Sequence, residues 1–294
     1  MILIPLAERF ARRALVSRGV ESRYVHSAVA KHHVYDTRPP GGRGREAKSE
    51  GELPPIVLLH GISSSAAVFA RTIAKLRARS RRVLAVEAPG HGLSGKPNRP
   101  LSPEVLFEAM AEVLVRELDE PAVICGNSLG GAVAVSFAMR HPELVRGLLL
   151  TSPAGASMDP EAFRAFLKVF DFGSNDDARD FMGRIYYRPP WYAPLLAPDL
   201  RRMFKRKAVR DVLAGADAGR LFSAEDLQKL AMPIHLVWGR QDRLLPRENF
   251  HFYRDSLPSH AIIEEPDATG HCPHFDDPDG YLDRILSFAQ KTVK

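Results

Sequence analysis

Short apolar runs alternate with amphipathic stretches along most of this 294-residue chain. A short apolar run between turn signals is typical of a strand that is buried on both faces. Strands of this kind belong to a mostly parallel sheet with helices packed on both sides. The runs predicted as strands are residues 56–59, 83–86, 122–125, 148–150, 234–238 and 261–263.

Helical spacing is found between these runs. Ser102 is a good N-cap and Pro103 suits the first helical position, so a helix is predicted to begin there. His141-Pro142 should end the helix after the third run, because proline disfavours helical geometry in the preceding residue. Apolar residues at 281, 282, 285 and 288 predict a closing amphipathic helix.

The alternation fails between about residues 154 and 222, where helical patterns surround an aromatic and proline cluster. This segment is predicted to be a helical cap over the strand ends, where ligands of open α/β sheets bind. The predicted organisation is a basic N-terminal extension (1–50) with an amphipathic helix and a first strand, a first half of the core (51–153), the cap (154–222) and a second half of the core (223–294).

Composition excludes several classes of protein. No window approaches the roughly eighteen consecutive apolar residues of a membrane span. Cys125 and Cys272 are too few for a disulfide framework, so a cytoplasmic location is expected. The opening apolar run is interrupted at Glu8 and Arg9, before a secretory signal could develop. Residues 39–44, rich in proline and glycine, are predicted to form a surface loop.

The first fifty residues hold ten lysines and arginines against five acidic residues, and so carry most of the net charge of +6. An N-terminal helix would place four apolar residues on one face, namely Leu3, Leu6, Phe10 and Ala14. Arg9, Arg12 and Arg13 would lie elsewhere on the same helix. Two hypotheses follow: peripheral contact with a membrane surface, or a helix docked on the body of the protein.

The strongest chemical signal is Gly126-Asn127-Ser128-Leu129-Gly130, which follows a predicted strand and precedes a helix-compatible stretch. A strand, a sharp turn carrying a serine and then a helix make up a nucleophile elbow. A serine hydroxyl is a weak nucleophile at neutral pH. It therefore needs a base within reach and hydrogen-bond donors for the oxyanion that forms.

Four blocks of sequence resemble the α/β-hydrolase superfamily. They are His60-Gly61-Ile62, the turn from Pro89 to Ser94, the elbow, and Trp238 to Asp242 together with Gly270-His271. The candidate serine, aspartate and histidine occur in this order along the chain, which is the order that the α/β-hydrolase fold requires. The resemblance implies an α/β-hydrolase fold: a mostly parallel central sheet flanked by helices, with a helical cap insertion.

The resemblance also implies catalytic roles. Ser128 would be the nucleophile, His271 the base that takes its proton, and Asp242 the acid that orients the imidazole. The backbone N–H groups of Leu129 and Ile62 would form the oxyanion hole.

Two of these roles have rivals in the sequence. Glu264 or Asp267, near the next strand, could replace Asp242 as the acid. His274 competes with His271, three residues earlier, for the role of base. The family pattern, in which the base follows a glycine, favours His271.

Three further patterns in the sequence are not interpreted as functional sites. Gly90 to Gly95 has the spacing G-x-G-x-x-G, but Lys96-Pro97 stands where a helix should open, so no dinucleotide site is predicted. The histidines and Cys272 follow no common zinc spacing, and neither a metal nor a cofactor is predicted. The basic run at 201–210 is interpreted as a solvated helix and not as a nucleic-acid site.

The aromatic-rich cap indicates an apolar acyl or ring group in the substrate, because aromatic walls gain mostly from apolar burial. Tyr187, Arg188 and Trp191 are the candidate substrate-binding residues. The first hypothesis is a serine hydrolase of the carboxylesterase kind, which cleaves a small to medium apolar ester through an acyl-enzyme.

The alternatives belong to three kinds. A carbon–carbon bond hydrolase of the meta-cleavage-product kind is similar at Gly126-Asn127-Ser128 and would use Arg188 for a substrate carboxylate, but this chain has Cys272 where that group usually has tryptophan. A thioesterase, lactonase or acyltransferase would share the acyl-enzyme. A ligand-binding protein on the same fold predicts a broken triad. The oligomeric state is left open.

Overall fold

The computed structural model of the protein describes residues 3–38, 51–220 and 222–293. Its strands are β1 Glu21–His26, β2 Lys31–Asp36, β3 Ile56–Leu59, β4 Val83–Val86, β5 Ala122–Asn127, β6 Val145–Thr151, β7 Ile234–Val237 and β8 Ile262–Glu264. They form one sheet in the order β1-β2-β4-β3-β5-β6-β7-β8. Only the β1–β2 and β2–β4 pairs are antiparallel. The prediction of a mostly parallel sheet is therefore confirmed.

Helices cover both faces of this sheet. They are α1 Leu3–Val16, α2 Ala70–Leu76, α3 Pro103–Glu117, α4 Leu129–Arg140, α5 Pro160–Leu167, α6 Asn175–Ile185, α7 Ala193–Phe204, α8 Lys207–Gly215, α9 Ala224–Gln228, α10 Arg247–Ser256, α11 Pro273–Asp276 and α12 Pro278–Lys291. Val57 and Leu59 of β3 pack with residues of α3, α4 and α10. Ile56 and Leu58 pack on the opposite face with residues of α2 and α12.

The hairpin of β1 and β2 was only partly anticipated, because the sequence predicted one first strand and not two. Strand β2 buries polar side chains, His32, His33 and Asp36, and so lacks the apolar run by which the other strands were recognised. The His32 ring is accommodated by a contact of 3.1 Å between its Nδ1 and the Glu87 carbonyl. Burial lowers the pKa of His32 to about 4, so the ring is neutral at physiological pH.

Between β6 and β7 the chain leaves the sheet and forms α5 to α8, in the segment that was predicted as a cap. These helices have an apolar cluster of their own, in which the Phe172 and Phe204 ring centroids lie 4.6 Å apart. The two ends of the segment meet where the Phe222 N–H donates to the Gly155 carbonyl at 2.9 Å. The insertion therefore has a narrow base and a separate core.

Helix α1 lies against the body of the protein. Leu15 is fully buried, and the Ile4 N–H donates to Asp199 Oδ2 of α7 at 3.0 Å. The apolar face expected from the sequence is not the buried one, because Leu6 and Phe10 are exposed. The inner side of α1 thus follows the docked-helix hypothesis, while part of its outer side stays apolar.

Two further expectations concern the limits of the described chain. The loop predicted at 39–44 lies outside the described residues. Across the ranges 3–38, 51–220 and 222–293, no helix combines the length and the apolar character needed to cross a bilayer.

A buried group of charges joins the antiparallel edge of the sheet to α3. Asp36 Oδ2 accepts hydrogen bonds from Arg23 and Arg82, each at 2.7 Å, and Glu117 accepts from the same two arginines. Burial by itself raises the pKa of Asp36, but hydrogen bonding and charge pairing with Arg82 outweigh it and hold that pKa below its ordinary value. At pH values above the ordinary pKa of an aspartate carboxyl group, the ionised form of Asp36 therefore stabilises the folded protein.

We expect Asp36→Ala to lower the free energy of unfolding by about 3–5 kcal/mol, because it removes one of the two carboxylates that pair with the buried arginine charge. Asp279→Ala is the matched control, since Asp279 pairs with Arg71 at the surface and should matter little. Urea unfolding at neutral pH measures both. The cost of Asp36→Ala should shrink as the pH falls through the lowered pKa of Asp36. Equal effects of the two substitutions would contradict this account.

Candidate active site

Ser128 occupies the single position between the end of β5 and the start of α4. Its backbone φ is +54°, a region that residues with a Cβ rarely adopt. A Cβ on Gly126 would lie 2.4 Å from the Gly130 carbonyl oxygen, and one on Gly130 would lie 2.2 Å from that of Leu59. The turn is therefore packed against itself and against β3, and this packing holds Ser128 in its strained conformation.

Asp242 lies beyond the end of β7, with its carboxylate buried. Oδ1 accepts the N–H groups of Leu244 and Leu245 at 2.9 and 3.1 Å. Oδ2 lies 2.8 Å from Nδ1 of His271. The two backbone donors fix the carboxylate, and the carboxylate in turn fixes the imidazole, which leaves Nε2 for another partner.

The loop that carries His271 is tied to the elbow by Asn127. Asn127 Nδ2 donates to the His271 carbonyl at 2.9 Å and to the Thr151 carbonyl at 3.1 Å. The His271 N–H donates to the carbonyl of Ile185, the last residue of α6. Sequence reasoning missed this function of Asn127, whose only signal was a polar side chain inside a tightly packed turn.

Ser128 and His271 both line a cavity of about 780 Å³ between the sheet and α6–α7. Ile62, Tyr187 and Arg188 line the same cavity, so the structure brings these predicted residues together with the serine and the histidine. The structure does not place Trp191 in the lining of this cavity. Its side chain is 87% exposed, and its ring packs against Tyr192 instead.

The two predicted oxyanion donors belong to segments that adjoin Ser128, namely the start of α4 and the loop after β3. Leu129 is the first residue of α4, so its N–H has no acceptor within the helix. Ile62 follows Gly61, where an added Cβ would lie 3.3 Å from Ser128 Cβ. The loop is fixed by His60, whose Nδ1 lies 2.8 Å from the Gly61 carbonyl. Burial lowers the pKa of His60 to about 3, so this ring is neutral and structural.

The rivals for the acid and the base have other partners. Glu264 pairs with Arg284 at 2.7 Å, and Asp267 pairs with Arg240 at 2.9 Å on the surface. His274 also lines the cavity, but its ring packs against aromatic side chains, 5.1 Å from that of Phe69. Burial lowers the pKa of His274 to about 3, and nearby His271 contributes to this.

Two carboxyl groups in the cavity wall were not anticipated. Asp276 accepts the N–H groups of Gly270 and Tyr187, at 2.8 and 3.0 Å, and so links the loop of His271 to the insertion. Glu8 enters from α1 and accepts the Ser65 hydroxyl at 2.6 Å. Burial raises the pKa of both carboxyl groups. Neither residue stands in a local sequence pattern that marks a site.

The glycine-rich turn after β4 has a structural function. The Glu87 carboxylate lies so close to Gly92 that an added Cβ would be 2.3 Å from it, and it accepts the N–H groups of Ala66 and Leu93. The next helix begins only at Pro103. The turn after β4 therefore does not lead directly into a helix.

Comparisons with known proteins are consistent with this architecture. The model of the alpha/beta hydrolase family matches residues 56–284. A pimeloyl-[acyl-carrier protein] methyl ester esterase of Neisseria meningitidis is 29% identical over 274 residues, which cover 84% of this chain and 98% of that protein.

Among solved structures, carboxylesterase CesB of Bacillus subtilis aligns with a TM-score of 0.74 and 23% identity, over 97% of each chain. A 2-hydroxy-6-oxo-6-phenylhexa-2,4-dienoate hydrolase of Rhodococcus aligns with a TM-score of 0.76 and 20% identity, over 92% of this chain and 99% of that one. The protein belongs to the alpha/beta hydrolase family, and the predicted fold is confirmed.

Asn127→Ala should lower the free energy of unfolding by about 1–3 kcal/mol, because two buried carbonyl groups lose their donor. Asn127→Asp should cost more, since a carboxylate oxygen would then face those carbonyl oxygens at neutral pH. Chemical denaturation of the three proteins measures the effect. An aspartate variant as stable as the native protein would show that the amide does not hold the loop of His271.

Proposed function

We propose that the protein is a serine hydrolase that cleaves carboxylic esters of small to medium apolar acyl groups through an acyl-enzyme. The observation that supports this most directly is the 2.8 Å hydrogen bond between Asp242 and His271, which lines the same cavity as Ser128. A buried aspartate oriented by two backbone N–H groups is costly to keep without a partner, and here its partner is His271, a lining residue of the cavity.

In the proposed reaction Ser128 Oγ attacks the ester carbonyl while Nε2 of His271 takes its proton. The tetrahedral intermediate collapses, and the alcohol leaves with that proton, so that the acyl group stays on Ser128. Water then attacks the acyl-enzyme with His271 as base, the carboxylic acid is released, and the proton returns to Ser128. Asp242 stabilises the imidazolium of both steps, and the N–H groups of Leu129 and Ile62 bind the oxyanion.

The size and lining of the cavity support an apolar acyl group of moderate length. A volume of about 780 Å³ lies within the usual range of small-molecule sites. Much of the wall is apolar, with side chains from α1, the insertion and the loop after β3, including Leu3, Ile62, Phe181, Leu196 and Leu200. The esterase activities of the Neisseria and Bacillus relatives are in line with this substrate class.

A second candidate function is carbon–carbon bond hydrolysis of a meta-cleavage product, as in the Rhodococcus neighbour. The observation in its favour is Arg188, which lines the cavity with its guanidinium 4.9 Å from the centre of the Tyr187 ring. A cation in the wall offers a partner for a substrate carboxylate. The proposed location is the cytoplasm in either case, because Cys125 and Cys272 are both free.

On a short-chain p-nitrophenyl ester, Ser128→Ala should lower kcat by at least about 10⁴-fold, because the nucleophile is lost. Asp242→Asn should lower it by about 10⁴-fold, because asparagine favours the unproductive tautomer of His271. Ser136→Ala is the matched control, a buried serine of α4 outside the cavity lining, and it should leave kcat unchanged. Turnover that survives Ser128→Ala would contradict the assignment of the nucleophile.

Mass spectrometry after treatment with a fluorophosphonate should find label on Ser128 alone, because the proposed base and oxyanion donors activate that hydroxyl. Assaying a vinylogous diketone acid in parallel separates the two candidate reactions. Ester turnover without diketone cleavage supports the esterase. Diketone cleavage that is abolished by Arg188→Gln, with ester turnover retained, would favour the carbon–carbon hydrolase instead.

A further inference from the structure

The mouth of the cavity is marked by residues that line it and are also exposed. Five residues meet both conditions, one on α1, two on the insertion and two in the chain on either side of His271: Ala7, Arg188, Tyr192, Ala268 and Phe275. Helix α1 packs against α7, where the Ile4 N–H donates to Asp199. The N-terminal helix and the insertion therefore both border the mouth, together with the chain around His271.

Large apolar side chains point outward on α1 and on the insertion. On α1, Leu6 and Phe10 are 47% and 59% exposed, and they lie one helical turn apart beside the cavity-lining residues of that helix. On the insertion, Trp191 and Leu195 are exposed next to Tyr192. We call these five residues the docking face: Leu6, Phe10, Trp191, Tyr192 and Leu195.

Positive charge adjoins the docking face. Arg9 and Arg13 are exposed, and each lies three residues after Leu6 or Phe10, so the arginines flank the apolar stripe of α1. The single acidic residue of α1, Glu8, is turned inward to the Ser65 hydroxyl. The outer side of the helix is therefore apolar and cationic, the pattern of a helix that lies in a bilayer interface containing anionic lipid.

We propose that the docking face binds the surface of an anionic phospholipid bilayer, so that the mouth of the cavity faces the membrane and receives acyl esters from it. This inference rests on the proposed function for its substrate class. A second copy of the chain is a poorer occupant, because a twofold interface through this face would bring the arginines of both copies together. The cytoplasmic leaflet, with its negative surface potential, supplies the matching charge.

Sedimentation with liposomes of phosphatidylcholine, with and without phosphatidylglycerol, tests the proposal on the full chain. We expect the protein to sediment with the anionic vesicles only, and less so as salt is raised. Leu6→Asp with Phe10→Asp should weaken this binding at least about tenfold, and Arg9→Gln should weaken it about fivefold. Val115→Asp is the matched control, because Val115 is a comparably exposed apolar residue on α3, outside the cavity lining, and should bind as the native chain does.

Hydrolysis of a soluble short-chain ester separates this proposal from the proposed function. Leu6 and Phe10 do not line the cavity, so the double variant should keep that activity, which also shows that it is folded. Vesicle binding without ester hydrolysis would support the docking and overturn the esterase. A native protein that stays in the supernatant, an equal loss in the Val115 control, or a dimer that the double variant abolishes would each overturn the membrane assignment.

Discussion

The close approach of the elbow to its neighbouring strand is the constraint on which the site depends. Gly130 lies so near the Leu59 carbonyl that no side chain has room there, and Ser128 is held at a positive φ as a result. The loop after β3 is close as well, because a Cβ added at Gly61 would lie 3.3 Å from Ser128 Cβ, and Ile62 is the next residue. Strain in the turn and the nearness of Gly61 to the serine thus both follow from the close packing of the elbow against β3 and the loop after it.

The second requirement is that a distant loop reaches this turn. Asn127 and His271 are separated by 144 positions in the chain, yet the amide of one donates to the carbonyl of the other. Asp276 then links that loop to the insertion through Gly270 and Tyr187. A motion that lifted this part of the insertion would therefore disturb His271, the proposed base, so we expect access to come from the side of α1 and α7.

Strands could be predicted from the sequence where a local pattern of apolar residues indicates that the segment is buried. β3 and β4 are apolar runs enclosed between helices, and their bounds were predicted from the pattern of apolar residues alone. β2 was missed as a separate strand, because its buried His32, His33 and Asp36 mimic a surface segment. Trp191 was expected in the pocket because an aromatic side chain favours burial, but burial is decided by packing that the local sequence does not show.

Within the site, the three proposed catalytic residues could be named because their motifs are local and their order is set by the fold. Asn127, Asp276 and Glu8 could not, since each acts through a tertiary contact. The crystal structure of a phosphonate adduct tests the central claim most directly. The account predicts phosphorus on Ser128 Oγ, with its anionic oxygen about 2.7–3.1 Å from the N–H nitrogens of Leu129 and Ile62. An adduct on another residue, or an oxygen turned away from both donors, would contradict it.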